Sequence, residues 1–145
     1  MTDRQTPEWL DVLGRCGLEV TGEPATDGPP VTAAIQAVSG FEVEPVARVP
    51  ASAPQAAEAL DEAWHHHAAR VSLCGENGEF LVLPPVPGGS RIGWVRVKDP
   101  VGTNLPSRVC AVTGSPEFLA ASVDGRHLCA ASVEESDYWV VVHEF

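Results

Sequence analysis

The sequence predicts an α+β fold: two or three helices packed on a mainly antiparallel sheet of about five to seven strands that ends in a C-terminal β-meander. Three observations lead there. Apolar residues recur at helical spacing in the first half, the period changes to two after residue 70, and the second half is cut by short turns. Such turns suit hairpins, whereas parallel strands need long crossovers. The chain reads as one domain, 1–145, helix-rich over 1–69 and β-rich over 70–145. Its 145 residues, 44% of them hydrophobic, suffice for a core of its own.

The first helix is expected from Thr6, a good N-cap, through Pro7 and Glu8 to about Arg15, with Gly17 beyond its end and Trp9, Leu10 and Leu13 on one face. Residues 21–30, with Gly22, Pro24, Gly28, Pro29 and Pro30, read as an acidic loop. Val31 to Val38 is helix-compatible and Gly40 is placed to stop it. Phe41 to Val49 alternates, and Pro45, lacking an amide proton, assigns it to a sheet edge. The clearest helix is Ala53 to Ala69. Ala56, Leu60, Ala63, Trp64 and His67 share one face there, while Asp61 and Glu62 point to water.

Val71–Gly75 and Glu79–Leu83 flank Asn77-Gly78, a strong hairpin signal, because both central positions of a type I′ turn need positive φ. Pairing Gly75 with Phe80 sets Val71, Leu73, Phe80 and Val82 on one face. Pro84 to Gly89 is a loop and Arg91 to Lys98 a strand; Asp99 to Pro106 is rich in turn residues. Arg108 to Thr113 follows, then a short helix or turn at Ser115–Glu117. Strands are expected over Phe118–Val123, Arg126–Val133 and Tyr138–Phe145, joined by Asp124-Gly125 and by Glu134 to Asp137. The last strand is apolar on both faces, so it is either sandwiched or open to a partner, and a homodimer through it is a further option.

Charge narrows the function classes. Nine Lys plus Arg against twenty Asp plus Glu leave −11, with a single lysine, Lys98. Nucleic acid and anionic membrane surfaces are disfavoured partners, since both are bound through basic side chains. No apolar run approaches membrane-spanning length and no targeting segment is read at the start, so the expectation is a cytoplasmic protein. The eight arginines to one lysine suit GC-rich bacterial coding. Cys16, Cys74, Cys110 and Cys129 form no C-x-x-C and sit among apolar neighbours, as reduced core thiols do.

Catalytic signatures are sparse. Consecutive helical side chains point about 100° apart, so His65-His66-His67 cannot converge on a metal, and no metal or cofactor is implied; solvated helix-end histidines are expected. Gly88-Gly89-Ser90 lacks the following helix that a phosphate loop requires. The four-residue turn at Glu134–Asp137 puts Val133 opposite Tyr138, hence His127 opposite Glu144 and Leu128 opposite His143. His127 and Glu144 then form a potential acid/base pair, with Cys129 two positions along the same face. A one-residue slip instead sets His127 against His143.

Glu134, Glu135 and Asp137, beside Tyr138 and Trp139 and with no basic residue after Arg126, suggest a docking patch for a basic protein. The leading expectation is a non-enzymatic acidic binding domain, in its sharper form an immunity or inhibitor (antitoxin-like) protein, or a chaperone of its partner. The second is a small enzyme or small-molecule-binding domain using His127, Glu144 and Cys129.

Overall fold

Helix α1 (Glu8–Arg15) ends as Gly17 predicts: Gly17 (φ 81°) donates to Gly14 O at 3.0 Å and Leu18 to Leu13 O at 3.1 Å, the paired bonds of a Schellman cap. In this computed structural model the described residues are 8–25, 28–39, 43–75 and 78–145, so Thr6, Pro7, Gly40 and Asn77 lie outside them. The elements that follow are β1 (Glu19–Ala25), α2 (Val31–Ser39), β2 (Ala47–Pro50), α3 (Ala56–Arg70) and β3 (Glu79–Val82). After them come α4 (Gly89–Ile92), β4 (Trp94–Lys98), α5 (Leu105–Thr113), β5 (Phe118–Ala121), β6 (His127–Glu134) and β7 (Asp137–Glu144).

The strands form one sheet in the order β1-β4-β3-β5-β6-β7-β2, and every pair is antiparallel. Its two faces are both covered. Leu13 of α1, Leu60 and Trp64 of α3, and Leu105 and Val109 of α5 pack on Phe80, Val97, Cys129 and Val140. Ala34 and Val38 of α2 pack on the opposite face against Leu81, Trp94, Leu128 and Val141. The doubly apolar last strand is therefore sandwiched, and β2 pairs along the outer edge of its first half. Among the described residues no helix is long and apolar enough to cross a membrane.

The α+β class, the antiparallel sheet and the closing β5–β6–β7 meander follow the sequence; several local assignments do not. Among the described residues there are five helices, where two or three were expected. Residues 21–25, expected to begin the 21–30 loop, instead complete β1, an edge strand, the place in a sheet that tolerates proline; the register breaks between Val20 and Pro24. β2 is an edge strand as expected, yet begins only at Ala47. The 71–75 arm does not form, because α3 continues to Arg70, Val71 caps it and Ser72 turns at φ 52°. Both edges of β3 are occupied, by β4 and β5. Leu73, Phe80 and Val82 still share one core, with Val71 against it, without strand pairing between them.

Gly88-Gly89-Ser90 does open a helix, a single turn that delays β4 to Trp94. Gly89 is required there: a Cβ would lie 1.9 Å from Pro84 O. Helix α5 replaces the Arg108–Thr113 segment and part of the preceding turn, with Pro106 in its first turn and Gly114 (φ 89°) at its C-cap.

Candidate functional site

The β6–β7 hairpin has the register its turn length dictates. His127 faces Glu144, Leu128 faces His143 and Val133 faces Tyr138, with no slip that would set the histidines together. Backbone opposition does not become an acid/base pair: among the described residues the ion pairs are Arg15–Asp11 and Arg108–Asp99. Neither His127 nor Glu144 lines one of the main clefts. Cys129 shares their face but is sealed under α3, where Trp64 Nε1 donates to Cys129 O at 3.2 Å. Burial pushes its thiol far above the ordinary range, which disfavours the thiolate that a nucleophile needs. At the same end of β6, the Asp124 carboxylate accepts the Ser122 hydroxyl and the Arg126 N–H, which hold its pKa below the usual value.

The other end of the hairpin carries the acidic residues. Alternation along β7 separates the two aromatics that the sequence grouped: Tyr138 turns to the α3 face, beside Leu60 and Pro116, and Trp139 to the α2 face. Trp139 is also not a bare anchor. Arg48, opposite it on β2, places its guanidinium 5.3 Å from the ring centroid, a cation–π contact supplied from within the chain. Glu134, which accepts the Ser132 hydroxyl at 3.1 Å, and Asp137 occupy neighbouring positions, and Glu135 lies exposed in the turn. A fourth acid joins them, because the Val133 N–H donates to Glu117 Oε2 at 3.2 Å.

A more highly assembled polar cluster lies elsewhere, between α3 and α5. The first turn of α5 exposes the amides of Leu105 and Ser107; Pro106 has none. Its own N-cap, Asn104 at φ 49°, makes no side-chain cap. Helix α3 provides both acceptors: His65 Nε2 takes the Leu105 N–H at 3.0 Å and Asp61 Oδ1 the Ser107 N–H at 2.9 Å, with the Ser107 hydroxyl on Asp61 Oδ2 at 2.6 Å. Asp61 is thus not a solvated residue, and its charge suits the positive end of α5. Nor is His65 a solvated helix-end histidine; burial lowers its pKa, assisted by Arg108 and opposed by Asp99 and Asp61. His66 alone of the three is exposed.

Arg108 ties the preceding loop to this junction. It donates to Asp99 Oδ2 at 2.7 Å, Cys16 O at 2.7 Å and Thr103 O at 2.6 Å. Two clefts flank His65. One, of about 500 Å³, is walled by Trp64, Leu73, Cys74, Phe80, Asp99 and Gly102. The other, of about 410 Å³, is lined by Glu58, Asp61, Glu62 and Gly102 to Asn104. Burial and the nearby Asp99 raise the Cys74 thiol, so it is not an activated nucleophile. Among the described residues no three His, Cys, Asp or Glu side chains are arranged to hold a metal ion.

This junction went unread in the sequence, although Asp61 and His65 stand at i, i+4 and Leu105-Pro106-Ser107 is a helix start without a good local cap. Comparison with protein-family models finds none that matches the chain, and comparison with curated proteins and with solved structures likewise finds no match.

Proposed function

We propose that the protein is a non-enzymatic binding domain that takes a basic protein partner on the acidic end of its β5–β6–β7 meander. The sharper form is an inhibitor of the immunity or antitoxin kind, or a chaperone that escorts its partner. One observation carries the reading: Glu117, Glu134, Glu135 and Asp137 converge at one end of the sheet, and Arg48 is the cation placed beside them by β2. Clustered charge of one sign accelerates encounter with an opposite surface and orients it. The enzyme reading on His127, Glu144 and Cys129 has weaker support, because its thiol is sealed and its His and Glu meet outside the main clefts. A cytoplasmic setting belongs to the same proposal and agrees with four unpaired cysteines.

Affinity capture from the source organism with the wild type and with E134K/E135K/D137K tests it. The expected result is a basic protein held by the wild type, released as ionic strength rises, and missing from the variant. Far-UV circular dichroism and the melting temperature of the variant check that it is folded, since Glu134 also accepts the Ser132 hydroxyl. Capture of the same proteins by both chains would overturn the proposal.

A further inference from the structure

We propose that His65 is a proton-sensitive latch on the N-terminus of α5: neutral imidazole closes it, and protonation frees the Leu105 amide and loosens the first turn of α5. The bond that carries this runs from the Leu105 N–H to His65 Nε2 at 3.0 Å. A nitrogen accepts only through its lone pair, so this bond requires the neutral ring with its proton on Nδ1. Protonation removes the acceptor and sets a cation at the positive end of a helix. Nothing on α5 itself replaces the lost cap, since Asn104 makes none and Pro106 has no amide.

The charged groups around the ring pull in both directions. Asp61 from α3 and Asp99 from the loop favour the imidazolium; Arg108 from α5 opposes it. Glu58 and Glu62 line one flanking cleft and Cys74 the other. Of the strands beneath α3, β6 presents Cys129, sealed under Trp64, β7 presents Tyr138, beside Leu60, and Arg48 of β2 stacks on the opposite face of the sheet. Burial outweighs the two carboxylates, so the folded protein binds this proton less readily than the unfolded chain. The closed latch is therefore fully favoured above the unfolded His value and weakens as pH falls towards the lowered folded value. His65 itself and Gly102, three residues before Leu105, wall both clefts, so opening the latch alters the shared rim of the two.

Hydrogen exchange of the wild type and of H65Q, read by NMR at the Leu105 and Ser107 amides and corrected for intrinsic rates, tests the latch. In the wild type, protection is expected to be flat above neutral pH and to fall below about pH 6.5, by up to about tenfold per unit. The H65Q profile is expected to be flat, high if the glutamine carbonyl accepts the bond and low if it does not. An acid loss in H65Q parallel to the wild type overturns the proposal. So does an equal loss at the Val97 amide in the core, which would place the effect in global unfolding.

Discussion

Replacing Arg108 with methionine is expected to be among the most damaging single changes on the polar surface of α5. The guanidinium bridges three pieces of chain: Cys16 O at the end of α1, the Asp99 carboxylate after β4, and Thr103 O, with Nε also 3.2 Å from Asn104 Oδ1. The Arg108 and Asp99 side chains are only 15% and 8% exposed. Methionine fills much of the volume but leaves Asp99 as a nearly buried, uncompensated charge and two carbonyls without donors. Breaking a buried pair from one side costs about 3–5 kcal/mol, much of it the penalty on the abandoned partner. At about 3 °C per kcal/mol for a domain of this size, the melting temperature should fall by roughly 10–15 °C. Urea unfolding followed by tryptophan fluorescence measures the loss, and D99N and D99N/R108M complete a double-mutant cycle. The cycle should show a coupling of about 1–3 kcal/mol, because removing Asp99's charge relieves what R108M creates. R108M within about 1 kcal/mol of wild type, or a double variant costing the sum of the singles, would refute the reasoning.

Two further outcomes follow from burial and close packing. Native thiol labelling, read by mass spectrometry, should modify exposed Cys74 first and half-buried Cys110 more slowly, while Cys16 and Cys129 react only after unfolding. Since burial and Asp99 raise the Cys74 thiol above the ordinary 9.0, its rate should still be rising at that pH; labelling of Cys129 as fast as Cys74 would contradict the packing under Trp64. Gly89→Ala should destabilise by about 2 kcal/mol or more, because its Cβ meets Pro84 O. Gly14→Ala in α1, with nothing within 4 Å, should instead stabilise by about 0.5–1 kcal/mol, and denaturant midpoints of the pair would check both signs.

The parts of the fold legible in the sequence are those set by short-range geometry. A four-residue turn and a period of two were enough to place His127 opposite Glu144 and Val133 opposite Tyr138, because a hairpin's register propagates from its turn. The long apolar period over Leu60 and Trp64 located α3, and a proline marked β2 as an edge. The strand expected before Asn77-Gly78 does not form, because a hairpin also needs an extended first arm. Residues 71–75 are instead drawn off the end of α3, and both sides of β3 go to strands distant in sequence. Tyr138 and Trp139 were grouped by adjacency, the one arrangement that a strand's alternation forbids on a single face.

By itself, then, the sequence determined the class of fold, the antiparallel meander, the hairpin register and the excess of negative charge. Each depends on residues close in the chain or on composition alone. Tertiary structure decided which side chains meet: Arg48 over Trp139, Glu117 beside the acidic hairpin, Trp64 closing Cys129, and Asp61 and His65 capping a helix 40 or more positions away. The physical reason is that the amides of a helix N-terminus donate to any well-placed acceptor, and which one arrives is settled by how the layers pack.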